Sequence, residues 1–166
     1  MKAGISIVAS AILLFRMKNS TKPLAWFGLR TPPFLPTLIL TAIYMAWMFG
    51  TDLLTHWRGP WNFEPWRQAP FLASALRVVA VCIFGPLVEE LLFRGVAFSW
   101  LAERINIGLT IVATALAWSL LHYDYPWWVI AIIFVDGLIL GVTRWRTRSV
   151  LAPAAMHMLY NLYAIW

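Results

Sequence analysis

The segment that decides the fold is APFLASALRVVAVCIFGPLVEELLFRGVAFSWL, residues 69–101. It is almost wholly apolar, yet near its C-terminal end it contains Glu89-Glu90-Leu91-Leu92-Phe93-Arg94-Gly95. An ionised side chain at membrane depth costs at least about 2.5–3.5 kcal/mol on insertion scales. Two adjacent carboxylates also repel each other. The segment therefore predicts an intramembrane functional site built around these charges.

The composition is that of an integral membrane protein. Of 166 residues, 61% are hydrophobic and 12% are charged, whereas soluble domains carry roughly 25% charged residues. The 11 tryptophans agree with this class, since tryptophan favours the membrane–water interface. The basic residues behind the net charge of +6 lie in short loops, which favours a lipid bilayer over nucleic acid as partner. We predict an all-α, polytopic transmembrane bundle forming one domain over residues 1–166.

Six apolar segments are expected to form this bundle. Residues 69–101 are too long for one straight span, and we expect Gly85-Pro86 to interrupt them, because proline suits the first turn of a new helix. The first segment is short, since a span needs roughly 17–25 residues. We interpret it as a retained anchor because no small-residue cleavage site follows it. The segments are Ala3–Phe15, Pro32–Thr51, Ala69–Leu101, Ile105–Leu121, Tyr125–Thr143 and Ser149–Trp166.

Loop charges give the predicted bundle an orientation. Alternate loops carry eight basic residues on one side, against three on the other (Lys2, Arg58 and Arg67). Positive loops stay in the cytoplasm, so the richer side is predicted to be cytoplasmic. The stretch Trp57–Trp66 is then expected to lie along the outer surface. The cytoplasmic loops hold Arg16, Lys18, Lys22, Arg30, Arg104, Arg144, Arg146 and Arg148.

The polar side chains inside the segments are predicted to lie at similar depths. Counted from the cytoplasmic turns at about 1.5 Å per residue, Glu89 and His122 are about 22 and 27 Å high. By the same count, Asn161 is about 21 Å high and His157 about 15 Å high. Asp136 lies near the height of His157. The sequence therefore brings these groups toward one site in the outer half of the membrane.

Three motifs follow in order along these segments. Glu89-Glu90-Leu91-Leu92-Phe93-Arg94 has the form E-E-x-x-x-R, Trp118–His122 has the form F-x-x-x-H with tryptophan in place of phenylalanine, and His157–Asn161 has the form H-x-x-x-N. Residues four apart can share one helix face, as Glu90 and Arg94 do in the first motif. Together the motifs resemble the CPBP family, the CAAX-protease and bacteriocin-processing (Abi) intramembrane proteases. The resemblance covers roughly residues 84–161, the predicted catalytic core.

The resemblance implies a glutamic-type protease without a metal cofactor. It implies Glu89 as the general base that activates a water and His122 as a residue that helps to hold that water. His157 and Asn161 are implied donors to the developing oxyanion. The supporting residues are Glu90 and Arg94, implied as a structural pair, together with Trp118 and Asp136. For Asp136 three roles stay open: it orients His157, pairs with an arginine or faces a water-filled crevice.

The expected reaction is hydrolysis of a peptide bond near the membrane end of a membrane-anchored protein or peptide. A C-terminal sorting tail, as in the myxosortase-like or JDVT-type branch, is the favoured substrate, and a prokaryotic inner membrane the expected location. A zinc-dependent CAAX-type metalloprotease is one alternative, since two histidines and two glutamates can bind zinc, although H-E-x-x-H is absent. A non-enzymatic bacteriocin-immunity protein is another. A transporter or proton relay is a third, which the lack of an internal repeat disfavours.

Overall fold

The computed structural model describes residues 2–57 and 68–165, with side chains from Ile7 onward, and within these ranges it contains helices and no strands. The predicted all-α class is confirmed, and each predicted segment corresponds to one helix. Beyond Trp57, the stretch that was expected along the outer surface lies outside the described residues, as does Trp166. The helices are α1 (Lys2–Lys18), α2 (Phe34–Thr55), α3 (Phe71–Ala102), α4 (Ile107–Leu120), α5 (Trp127–Thr147) and α6 (Leu151–Ala164).

The described helices have the length and surface of a membrane bundle. Helices α2, α3 and α5 are long and apolar enough to cross a membrane, and α4 is a shorter apolar helix. Large apolar side chains such as Leu53, Phe71 and Trp127 are strongly exposed on the outside. A soluble protein rarely exposes contiguous apolar surface on this scale. The chain is therefore an integral membrane protein.

The α-helical hydrogen bonding of α3 is interrupted just before Gly85-Pro86, and Pro86 lies in the first turn of the α-helical stretch that follows, as predicted; the interruption is a π-helical turn within one continuous helix. The helix runs for 32 residues and takes a π-helical turn at Ala80–Phe84, where the Gly85 N–H bonds to the Ala80 carbonyl instead of that of Val81. Pro86 has no N–H to offer the Val81 carbonyl. Asn161 Nδ2 on α6 donates to that carbonyl at 2.9 Å. A side chain from another helix thus supplies the hydrogen bond that proline removes.

A second π-helical turn, Leu91–Ala97, follows the two glutamates. Here the Phe98 N–H bonds to the Phe93 carbonyl, so the Arg94 carbonyl loses its α-helical donor. Arg144 Nε on α5 donates to the Arg94 carbonyl at 2.8 Å. Turns of this kind occur often at functional sites. The glutamates therefore lie between two π turns, each tied to a facing helix by one side chain.

Arg144 also fixes the loop between α1 and α2 against α3. Its Nη2 lies 3.2 Å from Ser99 Oγ and 3.4 Å from the Trp26 carbonyl oxygen. Gly28 has φ +79°, and a Cβ there would come 2.7 Å from the guanidinium carbon. The residue at this position must therefore be glycine for two reasons, a left-handed backbone and the arginine beneath it. Although it was predicted as a loop charge, Arg144 is buried.

The tightest helix contact joins α4 and α5. A Cβ on Gly137 would lie 2.9 Å from Ala115 Cβ, and one on Gly141 would lie 3.0 Å from Ile111 Cγ2. Small residues four apart let two helix backbones approach closely in a membrane. Gly137 and Gly141 therefore let α4 and α5 pack closely. It sets α4 against α5 and so fixes the position of the second motif.

Candidate active site

Glu90 and Arg94 form a fully buried pair. Arg94 Nη1 donates to Glu90 Oε1 at 2.9 Å, and both side chains are 0% exposed. Arg94 Nη2 reaches the Gly137 carbonyl oxygen on α5 at 3.2 Å. His157 Nδ1 on α6 lies 3.2 Å from the same Glu90 oxygen. The pair therefore connects three helices at the centre of the bundle.

Glu89 has a different environment from its neighbour. Its side chain is only partly buried, and Trp118 Nε1 on α4 donates to Oε2 at 2.7 Å. Within the described part of the chain, Oε1 accepts no hydrogen bond. One oxygen of Glu89 is thus held by the indole, and the other has no partner among the described residues.

His122 lies one turn beyond Trp118, two residues after the end of α4. Its Nδ1 is 3.2 Å from the Trp118 carbonyl oxygen. Since a carbonyl oxygen only accepts, Nδ1 carries the proton in this contact, and Nε2 of the neutral ring is an acceptor. Tyr125 packs beside it, with ring centroids 5.7 Å apart. Burial raises the pKa of the Tyr125 hydroxyl, and the charges of Asp124 and Glu89 raise it further, so it stays protonated at neutral pH.

His157 and Asn161 both reach α3 from α6, but at different places. His157 contacts Glu90, and its ring makes an edge contact with Trp118 at a centroid distance of 5.2 Å. Asn161 lies one turn further along and bonds to Val81. The structure therefore brings His157 next to the glutamates, while the amide of Asn161 braces the first π turn of α3.

Within the described part of the chain, Asp136 makes no hydrogen bond to His157 or to an arginine. Its Oδ1 accepts a hydrogen bond from Trp47 Nε1 on α2 at 2.8 Å. His157 is oriented by Glu90 instead, and the arginine next to Asp136, Arg94, pairs with Glu90 and Gly137. Asp136 is buried, so its carboxyl group fastens α2 to α5 behind the site.

Comparison with known proteins identifies this helical core. Residues 71–163 match the type II CAAX prenyl endopeptidase Rce1-like family, and this range is more than half of the chain. The chain belongs to this family. The resemblance to CAAX-protease (CPBP) proteins inferred from the three motifs is confirmed, and all three motifs lie inside the matched range.

The relatives of this Rce1-like chain include bacterial membrane proteins. It is 34% identical over 91 residues to the membrane-embedded CAAX protease MroQ of Staphylococcus aureus, covering 51% of this chain and 36% of that protein. It is 23% identical over 93 residues to the putative membrane peptidase YdiL of Bacillus subtilis, covering 56% of this chain and 37% of that protein. The matches thus span well under two thirds of the relatives' length. No solved structure shows a significant match.

The acidic and histidine side chains of the Rce1-like core are the candidate ligands for a metal ion. Among residues 7–57 and 68–165, no three His, Cys, Asp or Glu side chains lie together in a way that would hold a metal ion. Glu90 and His157 do meet, but Arg94 takes the remaining approach to the same oxygen. The described donors therefore do not fit the tetrahedral set that a zinc site needs.

Sequence reasoning missed two contacts that shape the site. Trp118 was noted as an aromatic exchange that leaves His122 in place, yet its N–H is the group that holds Glu89. The sequence did contain a signal for this contact. A buried indole N–H needs a hydrogen-bond acceptor, and the phenylalanine that the motif usually has at this position carries no side-chain N–H. Trp47, the donor to Asp136, carried no such signal, since nothing in the sequence pairs α2 with α5.

Proposed function

We propose that this chain is an intramembrane endopeptidase in which Glu89 activates a water to hydrolyse a membrane-anchored protein. Membership of the Rce1-like family and the likeness to membrane peptidases support the reaction class. The finer assignment, a glutamate-activated water, rests on the difference between two adjacent carboxylates.

That difference is the observation that carries the proposal. Glu90 is fully buried, and its Oε1 accepts from both Arg94 and His157. A carboxylate held in this way has no room for a substrate and serves to fix the helices. Glu89 is partly exposed and keeps Oε1 open. A general base must lie within hydrogen-bond reach of the proton it removes; the partly exposed Glu89 is accessible to such a contact, whereas the fully buried Glu90 is not.

The reaction begins with the loss of a proton from a water to Glu89. The water oxygen bonds to the scissile carbonyl carbon, and the carbonyl oxygen becomes an oxyanion. The proton then passes from Glu89 to the leaving nitrogen, the C–N bond breaks, and the products are a new carboxyl group and a new amine. His122 Nε2, the acceptor nitrogen of its ring, accepts a hydrogen bond from the second O–H of the water, which stays on the oxygen, and so orients the attack.

The oxyanion needs donors on the side of the site opposite to Glu89. His157 is the first, and because its Nδ1 already faces Glu90, donation from Nε2 requires the doubly protonated ring. Asn161 is the second. One hydrogen of its amide is taken by Val81, and the other is available. Donors of this kind act strongly where water is scarce.

The proposed substrate enters from the outer side of the membrane. The turn after Ala102 and the turn after Thr147 lie on the side with the excess of basic residues, which the positive-inside rule places in the cytoplasm. Glu89 lies more than three helical turns from the first of these. A site at that height favours the C-terminal sorting tail of an exported protein in a prokaryotic inner membrane over a prenylated protein arriving from the cytosol.

A cleavage assay in proteoliposomes tests this function. The full chain is incubated in H₂¹⁸O with a single-span reporter carrying a C-terminal sorting tail, and in parallel with a farnesylated CAAX peptide. We expect cleavage of the reporter only, one ¹⁸O atom in its new carboxyl group, and no effect of EDTA. Loss of cleavage with EDTA and its return with Zn²⁺ would establish the metalloprotease instead. Failure to cut either probe would favour the non-enzymatic immunity protein.

Cysteine labelling tests the orientation independently. In a Cys82→Ser background, single cysteines replace Tyr123 and Trp145, two exposed residues at opposite ends of the bundle whose exchange leaves every topogenic charge in place. In intact cells, a membrane-impermeant thiol reagent should label position 123 and spare position 145. Labelling at position 145 and not at position 123 would show that the site faces the cytoplasm. The argument for an exported substrate would then be lost.

A further inference from the structure

Trp118 is the residue that touches most of the polar groups at the site. Its indole N–H donates to Glu89 Oε2 at 2.7 Å, and its backbone carbonyl lies 3.2 Å from His122 Nδ1. The Arg94 guanidinium lies over its ring at 4.7 Å from the centroid. Edge contacts join the ring to His122 at 5.6 Å and to His157 at 5.2 Å. Side chains of all three motifs therefore meet on this one indole.

The position of the ring is itself fixed from behind. Trp118 is 3% exposed, and a Cβ on Gly137 would come 3.2 Å from its Cε3 atom. The glycine on α5 thus makes the space that the wide ring occupies. Arg94 on the ring face and the T-shaped contacts with the two histidines leave the indole little room to turn. A donor held so firmly can orient whatever accepts from it.

Its acceptor, Glu89, has no second hydrogen-bond partner among the described residues. Glu90 is held by Arg94 and His157, whereas Glu89 has only the indole within the described part of the chain. A free glutamate side chain samples many rotamers, and fixing it in the productive one is a direct contribution to rate. The short N–H···O contact to a charged acceptor belongs to the stronger class of hydrogen bonds.

We propose that Trp118 is a positioning residue that holds the general base through its indole N–H. The proposal rests on the assignment of Glu89 as that base. The indole occupies Oε2, turns Oε1 toward the water, and keeps the carboxylate at a fixed distance from His122. Phenylalanine at this position would fill nearly the same space and leave Oε2 without its donor.

A double-mutant cycle between Trp118 and Glu89 tests this directly. Trp118→Phe should lower kcat about ten-fold, with KM unchanged, because it removes one hydrogen bond to a charged group. In a Glu89→Gln background, the same exchange should change the residual rate less than two-fold, since no general base remains to be positioned. Trp145→Phe, the same exchange at an exposed tryptophan, is the matched control and should leave both backgrounds unaffected.

Each outcome of the cycle decides a separate point. An equal loss in both backgrounds would show that Trp118 only packs, and would overturn the inference while Glu89 remains the base. An unchanged rate in Trp118→Phe would overturn it as well. Full activity of Glu89→Gln alone would refute the proposed function itself. If Trp118→Phe fails to fold, 3-benzothienylalanine at position 118 keeps the fused ring and lacks the N–H, and should give the same ten-fold loss.

Discussion

Removing Arg94 should destabilise the whole bundle as well as the site. The side chain is 0% exposed and pairs with a Glu90 carboxylate that is also 0% exposed. Arg94→Ala leaves that negative charge buried with His157 as its remaining partner, and it takes away the donor to the Gly137 carbonyl. Breaking a buried pair by removing one partner costs about 3–5 kcal/mol.

This cost should appear in the melting temperature of the detergent-solubilised protein. For a chain of this size, 1 kcal/mol corresponds to about 2–4 °C, so Arg94→Ala should melt about 6–20 °C below the wild type. The double variant Glu90→Gln with Arg94→Met removes both charges and should recover much of the loss.

Arg104→Ala provides the matched control for Arg94→Ala. Arg104 is an arginine whose side chain is 48% exposed and which lies 3.9 Å from Glu103. An exposed pair of this kind contributes about 0–1 kcal/mol, so the control should melt close to the wild type. An Arg94→Ala protein that melts with the control yet has lost activity would refute the scaffold assignment and place Arg94 in the chemistry.

Two further substitutions test the packing that positions the site. Gly137→Ala should destabilise the protein by about 1–3 kcal/mol, because the new methyl group would lie 2.9 Å from Ala115 Cβ; Gly50→Ala, where nothing lies within 4 Å, should be neutral or stabilising in the same thermal melt. Asn161→Leu should cost about 1–3 kcal/mol by leaving the Val81 carbonyl unpaired, and an unchanged melting temperature would show that the first π turn needs no brace.

The helices were predictable because the apolar runs are long and the charges that punctuate them are few. Every segment became a helix, although the bounds moved: α2 extends to Thr55 and α5 extends to Thr147. At these helix ends, the backbone hydrogen bonds continue for about one turn beyond the last residues of the apolar run. The continuous course of α3 through Pro86 was not predictable, because the Val81 carbonyl finds its donor in Asn161, 80 positions further along the chain.

The site was predictable as a set of residues and less so as a set of contacts. Spacing placed Glu90 with Arg94 on one face, and the structure pairs them. Spacing could not show that His157 would contact the Glu90 oxygen that Arg94 binds, or that Asp136 would accept a hydrogen bond from Trp47. Such contacts depend on how helices rotate against one another. That rotation is set by side-chain packing, as between Gly137 and Ala115, and the hydropathy of the sequence does not predict it.

The most direct test of the account is the single-turnover cleavage rate of Glu89→Gln. Glutamine keeps the size of the side chain and its acceptor for the Trp118 N–H, but it cannot take a proton from water. The rate should fall about 10²-fold or more, with a melting temperature equal to that of Glu103→Gln, an exchange at an exposed glutamate in a loop. A folded Glu89→Gln protein that cleaves at nearly the wild-type rate would contradict the central claim.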